Sequence, residues 1–247
     1  MGKISIRDFV DSYWFSKILI GLRDTLLLTS GAIIVGLVVG ALIAFVRVQH
    51  RFSGNLRLLN ILAACFVQIF RGTPILIQLF IIRYSLFGSL RSCWIPVILV
   101  YGLNSGAYVS EILRASVGEV NVGQYEAARI LGFSDKQTLS LVIFPQAFRD
   151  SIPTLLNEFC ALIKETSVAY IVGFLDFGSA MVNLSFALKM NWPYYVSALV
   201  YFLIILFVSH SLNRIVRRFA AKKIRKEQIK YIKGAGLNKI TKRCENG

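Results

Sequence analysis

The chain has 247 residues, of which 55% are hydrophobic and only 17% are charged. Soluble domains usually carry about 25% charged residues, and the mean hydropathy of this chain is +0.62, so its composition argues against a soluble protein. The formal charge of +15 comes from 28 Lys and Arg against 13 Asp and Glu, and a chain that is both apolar and basic is typical of integral membrane proteins.

The first apolar run along the chain, residues 25–46, contains no charged residue. A spanning helix needs about 20 mostly apolar residues, because lipid cannot satisfy exposed backbone polar groups. The run is too long for the core of a signal peptide, so we interpret it as a mature helix. Four further segments meet the same requirement, and the second is interrupted only by Arg71 and Pro74. The five predicted spans cover residues 25–46, 58–82, 92–110, 152–174 and 190–213.

Small residues recur at every fourth position of the first span. They are Ala32, Gly36, Gly40 and Ala44. Such a stripe lets a second helix approach closely. Packing within the same subunit is the simpler interpretation, and a dimer interface is the alternative.

The fourth predicted span is the least regular, because it contains Glu158, Lys164 and Glu165. We expect it to cross the membrane, since otherwise the basic C-terminal tail and the long central loop would lie on opposite sides. Lys and Arg accumulate in cytoplasmic segments. With the C-terminus inside, twenty of these residues lie in the cytoplasm and seven outside. The predicted organisation is an extracytoplasmic segment over residues 1–20, a membrane domain over 21–213 and a basic cytoplasmic tail over 214–247.

The basic tail is expected to bind anionic lipid headgroups. Nucleic-acid binding is a weaker alternative, because no recognised nucleic-acid-binding fold accompanies the charge. The four cysteines have no metal-ligand spacing, and there are only two histidines. The sequence therefore predicts neither a disulfide framework nor a metal site.

The loop between the third and fourth spans, residues 120–147, has the pattern of a helix, a break and a second helix. Good helix formers precede Gly132, which suits the left-handed position that ends a helix. Ser134 and Gln137 have the spacing of a capping box, so a second helix is predicted to begin there. Pro145 is predicted to mark a turn or kink. This helical elbow is a compact element that a partner could bind.

The same loop resembles the EAA loop of ABC importer permeases. That pattern has Glu-Ala-Ala, three residues, Gly, nine residues, Ile, one residue and Leu-Pro. This chain has Glu126-Ala127-Ala128, Gly132, Val142 and Phe144-Pro145, so Val and Phe replace Ile and Leu. Three further segments resemble the polar amino-acid branch of the family, which includes histidine, glutamine and arginine permeases. They are Arg71-Gly72-Thr73-Pro74 with Gln78-Leu79, Ala107-Tyr108 with Ser110-Glu111-Ile112 and Arg114, and Lys164-Glu165-Thr166-Ser167.

The resemblance implies an all-α membrane fold, the ABC transmembrane type-1 domain, with five spans and a cytoplasmic coupling loop. It also implies an importer subunit for a polar amino acid, without a cofactor of its own. Its expected partners are a dimer of cytoplasmic ATPase subunits that bind ATP, an extracytoplasmic solute-binding protein, and a second permease subunit, identical or related. The chain contains no G-x-x-x-x-G-K-[ST] loop, in agreement with a separate ATPase. The resemblance assigns ATPase coupling to Glu126, Ala127, Ala128, Gly132 and Pro145.

Polar residues at membrane depth are costly and usually face a bundle interior or a wet cavity. They are either residues of the translocation path or structural groups that pair with one another or extend toward headgroups. The candidates for the substrate path are Arg71, Gln78, Asn104, Asn157, Glu158 and Lys164.

Two other classes of function are possible alternatives. A membrane enzyme is disfavoured, because no nucleophile with its base, metal triad or cofactor loop is present. A passive channel or gradient-driven carrier is disfavoured, because the chain shows no inverted hydropathy repeat and its main loop has the pattern of a docking element.

Overall fold

The computed structural model describes residues 13–54 and 56–234, and the regular structure of these residues is helical. The described chain divides into two compact units, residues 13–205 and 206–234. The α-helices are α1 (Tyr13–Ser53), α2 (Arg57–Gly72), α3 (Ile75–Phe80), α4 (Trp94–Glu119), α5 (Val122–Ile130), α6 (Asp135–Thr138), α7 (Phe144–Glu165), α8 (Phe177–Leu188) and α9 (Trp192–Gly234). Three segments have other helical geometry: the π-helical Ile81–Leu86 after α3, the π-helical Leu139–Ile143 after α6, and the 3₁₀ segment Thr166–Val172 after α7.

Two parts of the predicted organisation fall partly outside the described residues. Residues 1–12 of the predicted N-terminal segment and residues 235–247 of the predicted tail are not among them. The backbone of residues 214–234 continues α9 as a helix.

By length and composition, the described residues supply up to five membrane crossings. Three helices are long and apolar enough to cross alone, and they are Trp14–Phe52, Trp94–Glu119 and Trp192–Arg214. Two bent helix pairs supply the fourth and fifth crossings if each pair is one span. This number agrees with the five predicted spans.

The second predicted span, residues 58–82, is not one straight helix. Arg57–Gly72 and Ile75–Leu86 meet at an angle of 106°. Pro74 lies at the break, and proline has no N–H group to donate to the carbonyl four residues earlier. The interruption that the sequence places at Arg71 and Pro74 is a break between two short helices that meet at Thr73 and Pro74.

The fourth predicted span, residues 152–174, belongs to a longer helical path. The segment Asp135–Val172 is followed by Phe177–Leu188 at an angle of 55°. Of the turn or kink predicted at Pro145, the turn is absent, because Pro145 lies in the first turn of α7. The π-helical segment Leu139–Ile143 lies directly before it, and there the Phe144 N–H donates to the Leu139 carbonyl. Such a π-helical turn is one of the recognised causes of a kink in a helix. Helix α7 then runs to Glu165, and it contains Pro153, which cannot donate a backbone hydrogen bond.

The small-residue stripe of α1 packs against α4 of the same subunit. A Cβ atom on Gly40 would lie 2.6 Å from the Val109 Cβ, and one on Gly36 would lie 3.0 Å from the Ser105 Cβ. The contact is reciprocal, because a Cβ atom on Gly102 of α4 would lie 2.6 Å from the Val35 Cγ1. Packing within the subunit is therefore the role of the stripe.

The buried carboxylate of Asp176 joins α8 to α9, and the neighbouring Phe177 backbone joins it to α1. Asp176 caps α8, since its Oδ1 accepts a hydrogen bond of 2.8 Å from the Ser179 N–H. The Tyr201 hydroxyl of α9 donates to the Asp176 Oδ2 at 3.2 Å. The Phe177 N–H donates to the Thr25 Oγ1 of α1 at 3.0 Å. These bonds fix the end of the bent path.

Candidate functional site

The elbow predicted for residues 120–147 is present, and its local geometry follows from its capping residues. The Asn121 Oδ1 accepts from the Gly123 N–H at 2.8 Å and starts α5. Gly132 has φ +86, in the left-handed region. The Gly132 N–H donates to the Arg129 carbonyl at 3.0 Å, and the Phe133 N–H donates to the Ala128 carbonyl at 3.1 Å. This bonding has the pattern of the Schellman motif that ends many helices at glycine.

The second helix of the elbow begins at the predicted capping box. The Ser134 Oγ accepts from the Gln137 N–H at 3.3 Å. In return, the Gln137 Oε1 accepts from the Ser134 N–H at 2.9 Å. The prediction of a helix start at Ser134 is therefore confirmed.

The elbow is stabilised by contacts between its two helices and with α1. The Tyr125 hydroxyl donates to the Asp135 Oδ1 at 2.6 Å, and this hydrogen bond raises the pKa of the Tyr125 phenol. The Arg129 Nη1 lies 3.3 Å from the same oxygen. The ring of Phe52, at the end of α1, lies 5.0 Å from the Tyr125 ring. The angle of the elbow is thus fixed on both sides of Gly132.

The residues assigned to coupling face different directions. Glu126, Ala127, Gly132 and Pro145 are exposed. Ala128 is only 4% exposed, so its small side chain packs within the subunit.

Apolar side chains accompany these residues on the outer surface of the elbow. Ile130 is 86% exposed and Leu131 is 76% exposed. Val122 and Leu141 are exposed as well. Exposed apolar patches of this kind mark interaction sites, and we refer to Val122, Ile130, Leu131 and Leu141 as the elbow patch.

A polar cavity of about 470 Å³ lies between α1, α2 and α4. The Arg71 guanidinium lies 5.1 Å from the centre of the Tyr108 ring, in the range of a cation–π contact. Arg47 of α1 forms an ion pair with Glu111 of α4. The lining residues are Arg47, Ala64, Val67, Gln68, Arg71, Gly72, Tyr108 and Glu111.

Of the predicted substrate-path residues, the cavity contains only Arg71. Arg47, Gln68, Tyr108 and Glu111 were not predicted as site residues. Tyr108 and Glu111 lie in a segment that carries the family resemblance, and this was the available signal for them.

Two other predicted substrate-path residues, Gln78 and Asn104, form hydrogen bonds with the backbone at the break in the second span. The Gln78 Nε2 donates to the Phe70 carbonyl at 2.9 Å, and the Asn104 Nδ2 donates to the same carbonyl at 2.9 Å. Phe70 is among the last four residues of α2, whose carbonyls have no N–H partner in a continuing helix, and Pro74 has no N–H group to supply one. Both amides therefore replace a missing backbone hydrogen bond.

The remaining predicted path residues lie on α7. The Glu158 Oε1 accepts from the Ser105 Oγ of α4 at 3.0 Å, and Glu158 is half-buried. Asn157 and Lys164 are exposed. None of the three lines the cavity that contains Arg71.

The helical membrane fold and the elbow define a class of protein, the permease subunits of membrane transporters. The family described as binding-protein-dependent transport system inner membrane component matches residues 32–225, and the chain belongs to this family.

Individual relatives and solved structures agree with this family. A putative glutamine transport system permease protein of Rickettsia felis is 34% identical over 203 residues, which cover 80% of this chain and 86% of that protein. An L-cystine transport system permease protein of Bacillus subtilis is 43% identical over 139 residues, 55% of this chain and 58% of that protein. A crystal structure of an amino acid ABC transporter with histidines has a TM-score of 0.77 and 30% identity, and the match covers 88% of this chain and 100% of that chain.

A more distant structure, the MetNI methionine ABC transporter, shares the fold at a TM-score of 0.69 and 20% identity. The match covers 83% of this chain and 96% of that chain. The chain therefore has the all-α fold of ABC transmembrane type-1 permeases.

Membership of the family establishes the general role of the chain. It is a multi-pass inner-membrane permease subunit of an ABC importer and not an enzyme, so ATP hydrolysis takes place on a separate subunit. A binding protein and an ATPase are its partners.

Proposed function

We propose that the chain forms part of the route by which an importer carries a polar amino acid into the cell. The relatives support this cargo class, because they are named as glutamine, L-cystine and nopaline permeases, and the 30% identical structure is that of an amino acid ABC transporter. The observation that carries the mechanism is the exposed elbow at the start of a long helical path.

The elbow docks on the ATPase through the elbow patch. Glu126 and Ala127 lie on its exposed surface, and Gly132 sets the bend between its helices. Pro145 is exposed at the start of α7. ATP binds to the partner, and this chain uses no cofactor.

The helical path converts a movement of the elbow into a movement within the membrane. The segment from Asp135 to Glu165 is helical throughout, and at about 1.5 Å per residue it extends roughly 45 Å. This length exceeds the thickness of a bilayer core, which is about 30 Å. Displacement of the elbow by the ATPase therefore reaches Glu165.

The cavity at Arg71 is the part of the route best suited to an amino-acid carboxylate. No ion pair is formed by Arg71 among the described residues, so its guanidinium is available for a carboxylate. Gln78, Asn104, Asn157, Glu158 and Lys164 remain candidate path residues, with Gln78 and Asn104 bound to the helix break in the described state.

A second permease subunit, identical or related, completes the route. One face of α2 exposes Leu58, Leu59 and Leu62, and α9 exposes Tyr195 and Leu199. These surfaces fit lipid or a second subunit. Five spans are few to enclose a polar route, so we assign part of this surface to a partner permease.

Substitution at Gly132 tests the coupling role. Its φ of +86 suits glycine, asparagine tolerates this region better than other residues, and alanine is strained there by about 1–2 kcal/mol. We expect ATPase co-purification and uptake to decrease in the order wild type, Gly132→Asn, Gly132→Ala. Gly118→Ala is the matched control, because a Cβ atom there would meet only an Arg51 side-chain nitrogen at 3.8 Å. Normal co-purification and uptake in Gly132→Ala would contradict the coupling role.

A further inference from the structure

Side chains from α4 form hydrogen bonds to the backbone of both bent spans. In the second span the bond is at the break of Thr73 and Pro74, and in the fourth span it is at Glu165, where α7 ends and 3₁₀ geometry begins, before the bend that follows Val172. A side chain of α4 donates a hydrogen bond to a backbone carbonyl at each of these places.

Asn104 is the donor at the first break. Its Nδ2 lies 2.9 Å from the Phe70 carbonyl and 3.3 Å from the Gln78 Oε1. The Gln78 Nε2 also donates to the Thr73 carbonyl at 3.0 Å. The last turn of α2 and the first turns of α3 are therefore bound to one another and to α4.

Tyr101 is the donor at the end of α7. Its hydroxyl donates to the Glu165 carbonyl at 2.8 Å. Glu165 is the last residue of α7, and Thr166–Val172 continues as a 3₁₀ segment. The hydroxyl thus bonds at the position where the α-helical pattern changes.

The two donors form a single unit on α4. Residues three apart on a helix lie on the same face, one above the other. Tyr101 is fully buried and Asn104 is 7% exposed, so water does not compete for either hydrogen bond. The buried cluster around Tyr101 contains residues from both bent spans, namely Leu79 of α3, Leu162 of α7 and Ala169 of the 3₁₀ segment.

We propose that Tyr101 and Asn104 are positioning residues that hold the end of α7 and the break in the second span in a fixed relation. Movement that reaches Glu165 along α7 is passed by this pair to the break at Thr73 and Pro74. Arg71 and Gly72, which immediately precede that break, line the polar cavity. The pair therefore links the elbow to the cavity, and this role depends on the transport function proposed above.

The test uses the complete transporter, with its ATPase and binding protein, in proteoliposomes. Tyr101→Phe and Asn104→Leu remove the donors with little change of side-chain size. The readout is the number of labelled amino-acid molecules transported per ATP hydrolysed. Loss of a buried hydrogen bond commonly changes an equilibrium about five- to tenfold, and we expect the ratio to fall by that factor in each variant. Tyr84→Phe, at a tyrosine that is 58% exposed and has no assigned role, is the matched control and keeps the wild-type ratio.

The double variant Tyr101→Phe/Asn104→Leu tests whether the two residues act together. Its number of molecules transported per ATP is expected to be no lower than that of the more severe single variant. If the double variant instead loses the product of the two single fold-changes, the two residues act independently, which would overturn joint action. Wild-type ratios in both single variants would overturn the proposal. If Asn104→Leu does not assemble, Asn104→Ala replaces it. A wild-type complex that transports no amino acid with ATP would instead contradict the proposed function, so the two failures are distinguishable.

Discussion

Gly40 of α1 lies so close to α4 that there is no space for even one additional carbon atom at this position. A Cβ atom at this position would lie 2.6 Å from the Val109 side chain and 2.8 Å from the Gly106 carbonyl oxygen. A backbone carbonyl in a packed helix cannot move away as a flexible side chain can. A Cβ atom added to Gly31, nine residues earlier on the same helix, would lie 3.4 Å from the Ile98 side chain, which is an ordinary contact distance.

We therefore predict opposite effects for alanine at these two glycines. Overpacking costs about 1–3 kcal/mol, whereas alanine gains up to about 1 kcal/mol over glycine within a helix. Gly40→Ala should lower the melting temperature of the detergent-solubilised protein, and Gly31→Ala should leave it unchanged or raise it. Equal melting temperatures for the two variants would contradict the packing of α1 on α4.

At the scale of the element, the proposed mechanism requires α7 to transmit a movement of the elbow to Glu165. Arg149 and Asp150 lie on its exposed surface, between the elbow and the membrane core. Glycine destabilises a helix by about 1 kcal/mol per residue relative to alanine. A pair of glycines there softens α7 without changing the elbow patch.

The double variant Arg149→Gly/Asp150→Gly should transport several times fewer substrate molecules per ATP while still binding the ATPase. Arg149→Ala/Asp150→Ala removes the same charges and keeps the helix, so it is the control. Uptake and ATP hydrolysis are measured together in proteoliposomes. A similar ratio in both variants would show that the stiffness of α7 does not carry the coupling.

The elbow could be predicted from the sequence because it depends on capping residues that are close together in the chain. The details of the bend and the cavity could not be predicted, because they depend on contacts between residues far apart in the chain. The capping box at Ser134 and the left-handed Gly132 depend on neighbours within a few residues, so spacing alone was sufficient. The bend at Pro74 depends also on Asn104, thirty residues later in the chain. The cavity is lined by residues of three helices, and residue spacing within one segment does not predict which helices come together. The helical path through Pro145 depends on a π-turn that has no simple sequence signature.

At the scale of the whole molecule, the charge distribution predicts which face of the membrane each loop occupies. We expect the elbow in the cytoplasm and the segment between α3 and α4 outside. In a variant without native cysteines, Gln124→Cys should react with a membrane-impermeant maleimide only after the cells are permeabilised. Ser85→Cys should react in intact cells. Labelling of Gln124→Cys in intact cells, with Ser85→Cys labelled only after permeabilisation, would contradict the proposed orientation.

The most direct test of the proposed import mechanism is uptake of labelled amino acids by proteoliposomes that contain the complete transporter. With ATP available to the ATPase and the binding protein on the opposite side, the mechanism predicts accumulation against a concentration gradient. With a non-hydrolysable ATP analogue, no accumulation is expected. Equal uptake under both conditions would contradict a permease driven by ATP hydrolysis on its partner.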